Sequence, residues 1–79
     1  MTDPIESAIL ELLEAREPGK SICPTDAAKR LEPDNWRRMI PRVRATAVGM
    51  MRQGRLVILK KGKPVDPDAF KGVIRLRLP

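Results

Sequence analysis

Proline divides this chain into short segments. Pro4, Pro24 and Pro41 each stand at the head of a run with helical spacing, while Pro18 and Pro33 fall where such a run stops. Proline fits the first turn of a helix, where its missing N–H has no intrahelical partner to lose, and disrupts the interior. The pattern therefore predicts several short helices rather than one long one.

The first helix is predicted over the run that begins at Pro4. Ile5, Ala8, Ile9, Leu12 and Leu13 recur at the spacing of an amphipathic stripe. Asp3 suits the N-cap, with Glu6 placed to complete a capping box. Glu17-Pro18-Gly19-Lys20 ends the run. Ser21 and Ile22 read as a short extended piece, because Pro24 biases Cys23 away from helical angles. Pro24 opens a second helix with Asp26 in its first turn and Ala27, Ala28 and Leu31 on its buried side. Glu32-Pro33-Asp34 breaks it, and Asp34 suits the next N-cap. In the third segment a short turn is expected to end near Met39 and the main helix to start at Pro41. Val43, Ala47, Met50 and Met51 then share one side, and Gly54 terminates the helix in the left-handed conformation.

The remainder reads as a β-hairpin. Leu56 to Leu59 favour a strand, and Ile74, Leu76 and Leu78 alternate with Arg75 and Arg77. The connection from Lys60 to Gly72 is long for a hairpin loop and basic, with Lys60, Lys61, Lys63 and Lys71. Helix, short strand, helix, helix, strand, loop, strand is the element order of a winged helix-turn-helix. The expected architecture is thus one domain over residues 1–79, mainly α with a small β-hairpin. Its expected core is Ile5, Ile9, Leu12, Leu13, Leu31, Trp36, Val43, Ala47, Met50, Leu56, Ile58, Ile74 and Leu76.

Charge points to a partner class. The net charge is +6, but residues 1–34 carry 4 basic and 8 acidic side chains, and residues 35–79 carry 12 basic and 2 acidic. A half that basic suits a polyanion, and nucleic acid is the commonest one. In the helix-turn-helix reading the third helix enters the DNA major groove. Arg38, Arg42, Thr46, Gly49, Arg52 and Gln53 are its candidate contacts. Ala45, Thr46 and Gly49 are small enough to allow close approach, the arginines reach phosphates or guanine edges, and Gln53 suits adenine. Lys61, Lys63 and Lys71 supply phosphate contacts from the wing, with Pro64 and Pro67 stiffening it. Asp66 and Asp68 oppose that role locally and suit pairing with Arg44 or Arg75. Trp36 is expected to anchor the core with its N–H bonded nearby, and Phe70 to pin the loop.

Other classes find little support. The chain has no His and no Tyr, which removes the commonest general base, so an enzyme is not expected. One cysteine without histidine makes no zinc site, and no glycine-rich phosphate cradle is present, so neither metal nor cofactor is expected. Cys23 reads as a capping or packed residue. No secretory signal and no membrane span is visible, and the single cysteine fits a cytoplasmic location. DNA is the expected partner, with RNA also open, and the chain is expected to be a monomer or weak homodimer. The alternative reading is a winged-helix module for protein–protein interaction, its basic face meeting an acidic partner or its acidic first helix meeting a second copy.

Four stretches, GKSICPTDAAKRL, WRRMIPRVRATA, ILKKGKPVDP and KGVIRLR, resemble the pattern of domain of unknown function 3253, a family of small uncharacterised bacterial proteins. The resemblance runs from the first helix to the last strand. It implies a winged-helix-like fold and a bacterial source, and no established activity. Were Cys23, Arg44 and Asp66 part of the family pattern, it would imply a shared task for them; the plainer alternative is that they fix the wing against the helices.

Overall fold

The computed structural model describes residues 3–65 and 72–79. The elements run α1 (Pro4–Glu14), β1 (Ser21–Ile22), α2 (Pro24–Leu31), α3 (Trp36–Arg52), β2 (Val57–Lys60), β3 (Lys63–Pro64) and β4 (Arg75–Arg77). The fold is mixed: three helices and a small antiparallel sheet of four strands in the order β1-β4-β2-β3. The β part is therefore larger than the single hairpin expected from alternation, because β1 pairs with β4 and β3 adds to β2. Two-residue strands are too short to show a period of two, so the sequence pattern does not reveal their pairing.

The helices start as their prolines and caps direct. Asp3 Oδ1 accepts the Ile5 N–H at 2.7 Å ahead of Pro4 in the first turn of α1. Glu6 has a partner beyond its own helix: its carboxylate pairs with Arg55 at 2.5 Å, tying α1 to the turn after α3. In α2, Asp26 Oδ2 accepts the Cys23 N–H at 2.9 Å, so its charge sits on the helix N-terminus. Cys23 is the half-buried N-cap residue. The N-cap of α3 is Asn35, one position later than the expected Asp34. The Asn35 N–H bonds back to the Glu32 carbonyl, so residues 32–35 form a turn before the helix begins.

Pro41 does not start α3. The helix runs through it without a break. The carbonyl deprived of its donor belongs to Arg37, four residues earlier, and both Arg37 and Pro41 are exposed, so water can replace the lost bond. Met39 and Ile40 before the proline and Val43, Ala47 and Met50 after it pack into the same core, which holds the two halves in line. At the other end, the Gly54 N–H reaches the Met51 carbonyl and the Arg55 N–H the Met50 carbonyl, both at 2.9 Å. This is a Schellman closure, and Gly54 takes the required positive φ of 75°.

One core joins helices and sheet. Ile22, Leu76 and Ile58 are cross-strand neighbours on the covered face of the sheet, and all three are buried. They meet Ile5, Ile9 and Leu13 of α1, Ala27 and Ala28 of α2, and Val43, Ala47 and Met50 of α3. Three residues expected in this core, Leu12, Leu31 and Trp36, are only partly buried at its edge. Ile22 is inside as well, and Ala8, Ala27 and Ala28 are buried on the helix sides where the sequence places them.

Lys61 and Gly62 have φ of 53° and 80°, and the register pairs Lys60 with Lys63 across them. Two consecutive positive φ values make the two-residue turn whose twist matches paired strands. Gly62→Ala is expected to destabilise the protein by about 1 kcal/mol or more, because alanine resists that conformation. Urea denaturation measures it; an unchanged midpoint would mean that the turn places no demand on residue 62.

Candidate nucleic-acid interface

At 100° per residue, Arg38, Arg42, Ala45, Gly49 and Arg52 fall on the side of α3 opposite Val43, Ala47 and Met50. All five are exposed. Thr46 is half-buried at the border of this strip, and Gln53 is the exposed C-cap residue, its Oε1 accepting from Arg55 Nη1 at 3.0 Å. No Asp or Glu occurs anywhere in α3. A Cβ added to Gly49 would meet nothing within 4 Å, so no contact inside the protein calls for glycine there. Glycine in a helix interior is unfavourable by roughly 1 kcal/mol relative to alanine.

The N-terminal end of the strip has acidic neighbours. Arg38 and Arg42 border a cleft with Glu32, Asn35 and Met39, and Arg42 borders a second with Asp3 and Glu32. Those carboxylates lower the local positive potential at that end.

The hairpin carries the second basic group. Lys61 and Lys63 are exposed, and Lys60 lies directly across from Lys63. Like charges in opposed positions destabilise a strand pair. A bound anion would relieve that repulsion. Lys71 lies outside the described residues, as do Asp66, Asp68 and Phe70.

Two arginines act structurally. Arg44 Nη1 donates to the Gly72 carbonyl at 3.1 Å, tying the middle of α3 to the segment that enters β4. Arg75 Nε donates to Ser21 Oγ at 2.7 Å and its Nη2 to the Ser21 carbonyl at 2.9 Å, fastening β4 to β1. Trp36 is an edge residue rather than a core anchor: Lys29 Nζ and Arg37 Cζ each lie 4.9 Å from its ring centroid. Such cation–π pairs hold two positive charges at the junction of α2 and α3. The sequence pattern does not single out Lys29 or Arg37, because the turn between α2 and α3 sets how a residue of one helix meets the first residues of the next.

Among the described residues, no group of three or more His, Cys, Asp or Glu side chains is placed to hold a metal ion. No helix among them is long and apolar enough to cross a membrane.

The family model described as "Protein of unknown function (DUF3253)" matches residues 2–79. A comparison with curated proteins finds no match.

Proposed function

Because the chain belongs to the DUF3253 family of proteins of unknown function, we propose its role from its own surface: a DNA-binding winged helix-turn-helix protein, a transcriptional regulator that acts by binding DNA and carries out no catalysis. The observation that carries this reading is the solvent face of α3, with Arg38, Arg42 and Arg52 around Ala45 and Gly49 and no carboxylate in the helix. In this reading α2 and α3 form the helix-turn-helix, α3 enters the major groove, and the hairpin tip at Lys61–Lys63 lies on a phosphate backbone as a wing. The opposed Lys60 and Lys63 support it, since a phosphate offsets their repulsion.

Fluorescence anisotropy on a mixed-sequence duplex at low and moderate salt tests the proposal. Measurable binding at low salt is expected, and its absence would end the nucleic-acid reading. Lys61→Ala combined with Lys63→Ala is expected to weaken binding to any duplex and to reduce the slope of log affinity against log salt by up to about 2, at about 0.9 per phosphate neutralised. An unchanged slope removes the hairpin from the interface. Arg42→Ala is expected also to erode preference between sequences, by roughly 1–3 kcal/mol at one position, if its guanidinium reads a base.

A second reading, a protein-interaction module, draws on the mixed-charge clefts at Asp3, Glu32, Arg38 and Arg42. Those carboxylates suit a protein partner better than a phosphate backbone. Pulldown from lysate with and without nuclease separates the two: partners lost on nuclease treatment favour DNA, and partners retained favour protein.

A further inference from the structure

An open cavity of about 440 Å³ lies where the turn after α1 meets the end of β4, away from the exposed strip of α3. Leu13, Pro18 and Leu78 contribute apolar wall, and Arg16, Lys20 and Arg77 contribute positive charge. Glu14 and Glu17 also line it. Among the described residues neither of these carboxylates forms an ion pair with the three cations.

Arg77 is unlike the other arginines. It sits on the inner strand β4 between Ser21 of β1 and Val57 of β2. Its Nε is buried and has no hydrogen-bond partner among the described residues. A buried donor without an acceptor is uncommon and calls for an explanation. The enclosure has a consequence for binding. Arg77 as a whole is half-buried, and a side chain whose stem is enclosed loses little rotamer freedom when a ligand docks on its end.

We propose that this cavity binds a small carboxylate, a monoanion with a short branched apolar body. The planar fork of Arg77 matches a carboxylate in two parallel hydrogen bonds, with Arg16 and Lys20 adding charge. Leu13, Pro18 and Leu78 cover the apolar end. Glu14 and Glu17 select against higher negative charge: they repel a phosphate dianion or a nucleic-acid backbone more strongly than a monoanion. The site is independent of the α3 face, so its fate does not depend on DNA binding.

The test is a titration of the full ¹⁵N-labelled chain with 3-methylbutanoate, followed through amide chemical shifts. Saturable shifts are expected around Leu13, Gly19, Lys20, Arg77 and Leu78. Arg77→Gln is expected to weaken binding at least tenfold. Arg16→Gln, at an exposed position, is expected to keep the wild-type spectrum and to weaken binding severalfold, so the proposal stays testable should Arg77→Gln fail to fold. Inorganic phosphate at matched ionic strength and pH is expected not to saturate. Phosphate binding as tightly as the carboxylate would overturn the ligand class. Shifts that do not saturate, or binding unchanged in Arg16→Gln, would overturn the site.

Discussion

Ile9→Ala is expected to remove a large share of this protein's stability. Ile9 has no exposed surface and lies at the centre of the α1 stripe, in one cluster with Leu13, Val43, Met50 and Ile58. Deleting a buried isoleucine side chain down to alanine costs about 2–5 kcal/mol, from lost transfer energy plus the cavity left behind. A domain this small has roughly 4–12 kcal/mol in total, at about 0.05–0.15 kcal/mol per residue. The midpoint of urea unfolding is expected to fall sharply with little change in the slope. Leu12→Ala, at the edge of the same helix, is expected to cost less, because Leu12 is only partly buried. Equal losses at the two positions would contradict this difference in burial.

Gly49→Leu is expected to move stability and binding in opposite directions. Leucine has a helix propensity close to that of alanine, and nothing lies within 4 Å of a Cβ at this position. The fold should therefore gain about 1 kcal/mol, which raises the melting temperature of a domain this size by roughly 4–8 °C. On the proposed interface the added side chain would hold α3 away from the groove. Discrimination from one well-made side-chain pairing with a base edge is worth roughly 1–3 kcal/mol, so breaking such a pairing should lower affinity about fivefold or more. Anisotropy and thermal melting on the same sample read both effects. Higher stability with unchanged binding would show that Gly49 faces no ligand and would take the central strip of α3 out of the proposal.

The helices were legible because their signals are local. Asp3-Pro4, Pro24 with Asp26, and Gly54 each satisfy or remove a backbone group within one turn, and each acts in the structure as the sequence suggests. The turn at Lys61-Gly62 was not legible. Lys-Gly is a weaker signature than Asn-Gly for two residues at positive φ, and the paired segment Lys63–Pro64 is only two residues long. The basic strip on α3 could be drawn from spacing alone, since its members belong to one helix. Its acidic neighbours Asp3 and Glu32 could not, because they come from other parts of the chain.

By itself the sequence determined where α1 and α2 begin and where α2 and α3 end, which side of each helix is apolar, and that positive charge gathers in the second half. These depend on backbone chemistry and on a 3.6-residue period, both contained within short windows. Only the tertiary structure decided that Pro41 is tolerated inside α3, since core packing on both sides outweighs one hydrogen bond lost to water. It also decided which charges are committed internally, among them Glu11 to Arg30, Glu6 to Arg55, Arg44 to the Gly72 carbonyl and Arg75 to Ser21. The groups paired in this way are far apart in the chain, and Coulomb attraction and hydrogen bonding act over a few ångströms of space, whatever the separation along the backbone.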